Sequence, residues 1–320
     1  MTTRPLGRRG GPRPGLHGAL AVGIVVFVAV LFSAPGSAGP AAAATATTSA
    51  SQGACGVAIA PGARTLRIRF HGTARTVIVY VPAGYSGSVK VPLVVNLQGD
   101  GGTAAVEQAF TAMDAEADLA GFLVAYPQAA IRVDGGYAWN VPGQPLPAGS
   151  ESSGSGSDDL AFLTALPGML STRYCVNPKL VYATGYSGGG AKMTSELGCA
   201  DSNIYAAVAP VGALWLPQPC PAVRAEPVVS ISGNDGAVRS WATQDDCHVR
   251  HAESASLAGT EVTLVGYTHC ANDAAVELYR LPNSVRGWPG GPQSLAPLVG
   301  PAVALDADAA IWSFFKVHYL

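Results

Sequence analysis

The chain has 320 residues, of which 48% are hydrophobic and only 12% are charged, and its net charge is −2. The charged share is about half the usual one. A mildly acidic balance excludes the basic footprint of a nucleic-acid-binding protein, and the length allows one large domain or two small ones with ample core.

Residues 1–44 read as a secretory signal peptide. Arg4, Arg8, Arg9 and Arg13 give a positive start, the apolar run Ala19–Phe32 follows, and small residues with A-x-A sites come after it. At 14 residues the run is short for a membrane span, which needs roughly 20. Cleavage is expected near Ala44. The Arg8-Arg9 pair raises a twin-arginine alternative, but "RRGGPRP" continues it poorly, so ordinary secretion is the expectation. Cys55 lies too far beyond the apolar run for a lipid anchor. Loss of the four leader arginines takes the net charge from −2 to −6. Residues 45–64 read as a flexible Ala/Thr/Ser-rich leader, and residues 65–320 as one folded domain. No later apolar run is long enough to span a membrane.

The six cysteines, Cys55, Cys175, Cys199, Cys220, Cys247 and Cys270, form an even set in a chain read as exported. That implies three disulfides. Neighbours along the chain suggest Cys199–Cys220 and Cys247–Cys270, leaving Cys55–Cys175. Zinc is the rival for "CHVRH", through Cys247, His248 and His251, but no second ligand cluster stands at zinc-finger spacing.

In chain order, "TLRIRF" and "RTVIVYVP" read as two strands of a hairpin joined at "HGTA". "VPLVVNLQG" is a buried strand ending in a glycine turn. "GTAAVEQAFTAMDAEADLA" has helical spacing that places Val106, Phe110, Met113 and Ala117 on one face. "GFLVAYP" is the next strand, and a Gly/Pro/Ser-rich stretch from Gly135 to Ser157 is a loop long enough to be a candidate lid. Asp158 and Asp159 open the helix "DDLAFLTALPGML", where carboxylates suit the positive helix end. "KLVYATG" is a strand and "GGGAKMTSELG" a helix. "IYAAVAPVGA", "EPVVSIS", "TEVTLVGY" and "AVELYRLP" are further strands, and "DADAAIWSFFKVH" is a closing helix. Strands alternating with helices predict a mostly parallel α/β sheet with helices on both faces and an antiparallel N-terminal edge.

The chemistry centres on "GYSGGG", Gly185 to Gly190. A G-x-S-x-G motif between a strand and a helix is the nucleophile elbow of an α/β-hydrolase. Ser187 is then the nucleophile, and the backbone N–H of Gly188 points at the oxyanion; a plain glycine-rich loop is the bland alternative. The second oxyanion donor is expected from the turn after "VVNLQ", in the backbone of Gly99 and Asp100. The triad acid should follow the next strand, which places it at Asp235 in "SGNDGAV". Asp245 and Asp246 are rivals that do not directly follow a strand.

On these residues the chain resembles the secreted esterases that group polyhydroxybutyrate depolymerases with feruloyl and acetylxylan esterases. The resemblance runs from about Thr65 to the C-terminus. It includes "PLVVNLQGDGG", "GFLVAYP", "AWN", "DDLAFL", "LVYATGYSGGGAKMTSELGCA", "YAAVAPVGA", "SGNDGAV" and "WPGG". It implies an α/β-hydrolase fold, ester hydrolysis by a Ser–His–Asp triad, no metal or organic cofactor, and an ester or polymer as partner. The family histidine usually stands two residues before the tryptophan of "H-x-W-P-G". Here that position is Arg286, in "NSVRGWPGG". The family's "H-G" at the oxyanion turn is Gln98-Gly99.

Arginine stays protonated and has no lone pair to offer, so Arg286 cannot take the Ser187 proton. Losing a triad base costs on the order of 10⁴–10⁶ in rate. His17 would leave with the signal peptide. His71, His248, His251, His269 and His318 remain, with His251 and His269 the best relocated bases if disulfide-tied loops carry them to the sheet's carboxyl edge. Arg286 has three readings: pairing with Asp235, gripping an anionic ligand group, or facing water. Trp139 and Trp288 are expected either to line a substrate cleft or to pack in the core. Three functions follow: a secreted serine esterase, a catalytically silent relative that binds a polymer or ester, or a partner-binding protein that keeps only the fold.

Overall fold

The computed structural model describes residues 54–151, 157–233, 236–257, 260–282, 287–292 and 305–320. The signal peptide, residues 45–53 of the leader, Asp235 and Arg286 lie outside the described residues. No helix among the described residues is long and apolar enough to cross a membrane.

Twelve strands and six α-helices are described: β1 (Gly62–Phe70), β2 (Thr73–Val81), β3 (Val91–Leu97), α1 (Ala104–Thr111), α2 (Met113–Ala120), β4 (Leu123–Pro127), β5 (Ile131–Val133), β6 (Gly136–Ala138), α3 (Asp159–Ser171), β7 (Val176–Tyr186), α4 (Lys192–Ala200), β8 (Ala207–Val211), β9 (Val228–Ser232), α5 (Gly236–Gln244), β10 (Val249–Leu257), β11 (Thr260–Thr268), β12 (Val276–Arg280) and α6 (Ala307–Phe315). A π-helical turn, Ser187–Ala191, joins β7 to α4. The main sheet has ten strands in the order β1-β2-β4-β3-β7-β8-β9-β12-β11-β10, and β5-β6 form a separate hairpin. Strands β4, β3, β7, β8, β9 and β12 run parallel. Antiparallel pairs finish both ends, β1-β2 on one side and β11-β10 on the other. This is the α/β-hydrolase arrangement.

Period-2 alternation splits the central strands between two apolar layers. In β3, Leu93, Val95 and Leu97 face the layer that holds Phe162, Leu166, Met193 and Trp241 of α3, α4 and α5. Val94 faces the other, with Phe110 and Met113 of α1 and α2 and Phe314 and Phe315 of α6. Such strands are covered on both sides, which is why they read as continuous apolar runs.

Three expectations need correction. The single helix expected before β4 is two. Ala112 adopts a left-handed conformation (φ 53°) and ends α1 with its N–H on the Gln108 carbonyl, so Met113 restarts the helix. Val106 is therefore 44% exposed while Phe110, Met113 and Ala117 stay buried. The segment around His248 and His251, where no strand is expected, forms edge strand β10. The first part of the candidate lid is the tight β5-β6 hairpin, packed on the turn after β3.

Three disulfides join Cys55 to Cys175, Cys199 to Cys220 and Cys247 to Cys270. With Cys247 so engaged, the zinc reading of "CHVRH" loses its thiolate ligand, and no group of three or more metal-binding side chains occurs among the described residues.

Candidate active site at the carboxyl edge of the sheet

Parallel strands leave their carboxyl ends, and the turns that follow, on one edge of the sheet. β3 and β7 are adjacent, with Leu97 opposite Gly185, and β8 lies beyond β7 with Val211 opposite Tyr186. The turns after these strands bring together Gly99, Ser187 and Gly212. A Cβ built on Gly99 would stand 3.1 Å from the Ser187 Cβ, and one built on Gly212 would stand 3.5 Å from the Ser187 backbone nitrogen.

Ser187 has φ 63°, a left-handed conformation that a non-glycine residue holds at a cost of roughly 1–3 kcal/mol and that clusters at functional sites. The turn is that sharp because β7 must reverse into α4 without room for side chains. A Cβ on Gly185 would lie 2.6 Å from the Gly190 carbonyl oxygen, and one on Gly190 would meet the Leu97 and Gln98 carbonyls. Ser187, half-buried, is thereby held between the β3 and β8 turns.

The turn after β3 is braced from behind. Gln98 is fully buried. Its amide donates to the Gly102 carbonyl at 2.6 Å, and its Oε1 accepts from Gln128 at 2.8 Å. Trp139 donates its indole N–H to the Gln98 carbonyl at 2.8 Å, and the Gly101 N–H donates to the Tyr137 carbonyl at 3.0 Å. The amide at the family's histidine position thus acts as a strut joining the turn to the β5-β6 hairpin. Glu107, also buried, is a residue that sequence reasoning missed. Burial pushes its carboxyl well above the ordinary range against a hydrogen bond from the Gly99 N–H, while nearby Asp308 pushes it further up. The Gly99 N–H is therefore turned inward toward Glu107.

The Asp100 side chain lies across the elbow. Its Oδ2 is 3.3 Å from where a Gly188 Cβ would be, and a Cβ on Gly189 would run into its carboxylate. Partial burial raises its pKa, and the positive charge of Lys192 pulls it down. Lys192 donates to Gln144 Oε1 at 2.8 Å.

Trp139 and Trp288 do not line an open cleft. They are 2% and 0% exposed, and the Trp288 indole donates to Asp308 at 3.1 Å. Trp288 packs edge-on against Phe110, which packs on Tyr186. Both tryptophans are core struts behind the site.

The histidines sit elsewhere. His251 pairs across the sheet with Gly266, and Gly266 with Glu277, which pairs with Val229 near the start of β9. His251 therefore belongs to the amino edge, five strand spacings from β7, or about 24 Å. His269 and His248 flank the β11-β10 pairing at the same amino edge. The expectation that disulfide-tied loops carry His251 or His269 to the carboxyl edge is overturned, because the loops that Cys247–Cys270 ties lie at the other end of the strands. His71 turns between β1 and β2, three strand spacings from β7 or about 14 Å, with its ring stacked on Phe70. The carbonyl of His318 accepts from the Tyr182 hydroxyl at 2.8 Å, and Tyr182 is five residues before Ser187, about 16 Å along the strand. Of the rival acids, Asp245 is buried at the amino edge, where it accepts the Glu226 N–H, and Asp246 faces solvent beside His248.

No protein-family model matches the chain. Over 136 residues it is 32% identical to feruloyl esterase B of Piromyces equi; the match covers 42% of this chain but only 23% of that protein. A thermostable esterase superposes with a TM-score of 0.43 at 18% identity, over 57% of this chain and 51% of its own. The poly(3-hydroxybutyrate) depolymerase of Bordetella parapertussis gives 0.41 at 16% identity, over 55% and 66%. By its strand order the chain has the α/β-hydrolase fold, and over 136 residues its sequence resembles that of a feruloyl esterase.

Proposed function

We propose that the chain is a secreted carboxylic-ester hydrolase that uses Ser187 as nucleophile on an aryl or polymer ester. The observation that carries this reading is the left-handed Ser187 at the β7-to-α4 turn, in contact range of the Gly99 turn. The Gly188 and Asp100 N–H groups supply the oxyanion donors, Asp235 takes the acid position, and Arg286 stands at the position of the family histidine. No metal or organic cofactor enters the scheme. Three disulfides and the signal-like leader support export.

The placement of all five described histidines away from Ser187 favours a second reading, a silent relative that binds an ester or polymer without turnover. Hydrolysis of short p-nitrophenyl esters by the oxidised protein, beside Ser187→Ala and Arg286→His, separates the two. Activity abolished by Ser187→Ala supports the esterase. A silent parent that gains activity with Arg286→His supports the silent relative.

A further inference from the structure

Helix α1 carries a carboxyl on its buried face. Glu107 is 3% exposed, on the same face as Ala104, Phe110 and Thr111. A carboxyl in such a place is costly unless it is hydrogen-bonded, and an apolar side chain fills a core helix position at lower cost. Its Oε1 has no hydrogen-bond partner among the described residues. The helix does not need it as a cap, because Thr103 already accepts the Val106 N–H at 3.1 Å. What the carboxyl does hold is the Gly99 N–H. That bond reaches the turn beside the elbow, where a Cβ on Gly99 would stand 3.1 Å from the Ser187 Cβ and 3.3 Å from Tyr186 Cδ1.

The same turn is pinned on its other polar groups. The Gln98 carbonyl accepts the Trp139 indole N–H at 2.8 Å, and the Gly99 carbonyl accepts the Gly102 N–H at 3.0 Å. The Gln98–Gly99 peptide is therefore held at both ends, by Trp139 on its oxygen and by Glu107 on its nitrogen. A planar peptide gripped at both ends has one orientation. Gly99 has no side chain to fix the turn by packing, so without the Glu107 bond its backbone is free to rotate.

We propose that Glu107 is a positioning residue for the hydrolysis proposed above: by holding the Gly99 N–H, it sets the peptide that the β3 turn brings against Ser187. This rests on the nucleophile reading. Glu107 acts through the turn that supplies an oxyanion donor in that reading, so its loss affects the transition state more than substrate binding. Burial pushes the carboxyl toward its neutral form against the Gly99 bond, and Asp308 adds to the push. Glutamine, uncharged and of the same length, therefore keeps the acceptor.

The test uses the oxidised full-length protein and its Arg286→His variant, each combined with Glu107→Gln, Glu107→Leu, Glu107→Met or Ser187→Ala. Three readouts are taken: kcat and KM on p-nitrophenyl butyrate, the rate of fluorophosphonate labelling of Ser187 by intact mass, and hydrogen exchange of the Gly99 amide by NMR. The leucine and methionine variants should lower kcat about 10–100-fold at little-changed KM, slow labelling, and speed Gly99 exchange. Glu107→Gln should keep kcat and labelling within about threefold of its background. A merely structural role would lower the melting temperature without separating kcat from KM. A glutamine variant as slow as the apolar ones, or apolar variants within about twofold of their background, overturns the positioning role and leaves the nucleophile standing. So does a parent Gly99 amide that exchanges as fast as an exposed loop amide, a result that requires no variant to fold. Turnover in neither background, or turnover that survives Ser187→Ala, sinks the nucleophile reading and this proposal with it.

Discussion

Replacing Asp159 by Asn should destabilise the protein strongly although Asp159 is remote from the chemistry. Asp159 is fully buried and Arg75 nearly so. Arg75 Nη2 donates to Asp159 Oδ1 at 2.6 Å and to the Gln128 carbonyl at 3.2 Å, while the guanidinium lies 4.0 Å over the Phe162 ring. Asp159 also accepts from the Asn140 N–H at 2.9 Å and from the Ser157 hydroxyl at 3.0 Å. An asparagine there keeps one acceptor oxygen, turns its amide hydrogens toward other donors, and leaves the Arg75 charge buried without a counter-charge. Breaking such a pair costs about 3–5 kcal/mol. In a domain of this size each kcal/mol shifts Tm by about 2–4 °C, so the melting temperature should fall by about 10 °C. Differential scanning fluorimetry and urea unfolding measure the loss. The double variant Arg75→Met with Asp159→Leu should recover most of it, because two apolar groups leave no orphaned charge. A loss below about 1 kcal/mol in Asp159→Asn would show that water or local relaxation screens the pair, and the argument from burial would fail. Because Arg75 also grips the Gln128 carbonyl, and Gln128 holds Gln98, the same variant should loosen the turn beside Ser187.

Two further predictions concern groups described above. Burial raises Asp245 to about 7, against the Glu226 N–H and the Arg224 charge, which lower it. Glu226 is likewise pushed well up by burial, with Arg224 pulling it down and Asp245 pushing it up. A carboxyl whose folded pKa is raised binds its proton more tightly in the folded state, so its effect is absent below the unfolded value. Stability then falls as pH rises from about 4 to about 7. Asp245→Asn should therefore gain on the parent across that window, by about 2 kcal/mol or more in urea unfolding at pH 8 relative to pH 5, and a pH-independent difference would refute this. Ser187→Gly should abolish labelling and turnover yet stabilise the fold by about 1 kcal/mol, since glycine adopts the φ of 63° freely; a lower Tm would count against strain at the elbow.

The central strands were legible because burial on both faces writes itself as unbroken apolar sequence, and the elbow because close backbone contact leaves only glycine. Other features carry no such signal. Strand β10, "VRHAESASL", is exposed along Val249–Ser256, so nothing apolar alternates along it to announce a strand. The break at Ala112 is made by an ordinary helix-forming residue in a left-handed conformation, without glycine or proline to flag it. Strand order decides which edge a histidine reaches, and that order is invisible locally. His251 lies near the start of β10, which runs with β9, and His269 follows β11, which runs against it, so both come to the amino edge. For Trp139 and Trp288 the sequence left cleft and core both open, and burial decides for the core. The strut made by Gln98, Gln128 and Trp139 depends on partners 30 and 41 positions away along the chain, a pairing that no local pattern encodes.

The crowding around the elbow separates ancestry from activity. Gly185 and Gly190 face backbone oxygens with no space for a methyl group, so any variant with a side chain there would fail to fold well before selection on turnover came into play. A lineage that stopped hydrolysing esters would go on carrying both glycines for as long as it carried the sheet. Their persistence in a sequence records the shape of a turn. Positions with no packing duty, such as the hydroxyl of Ser187, are free to drift once chemistry ceases, and they are where the history of catalysis in this chain can be read.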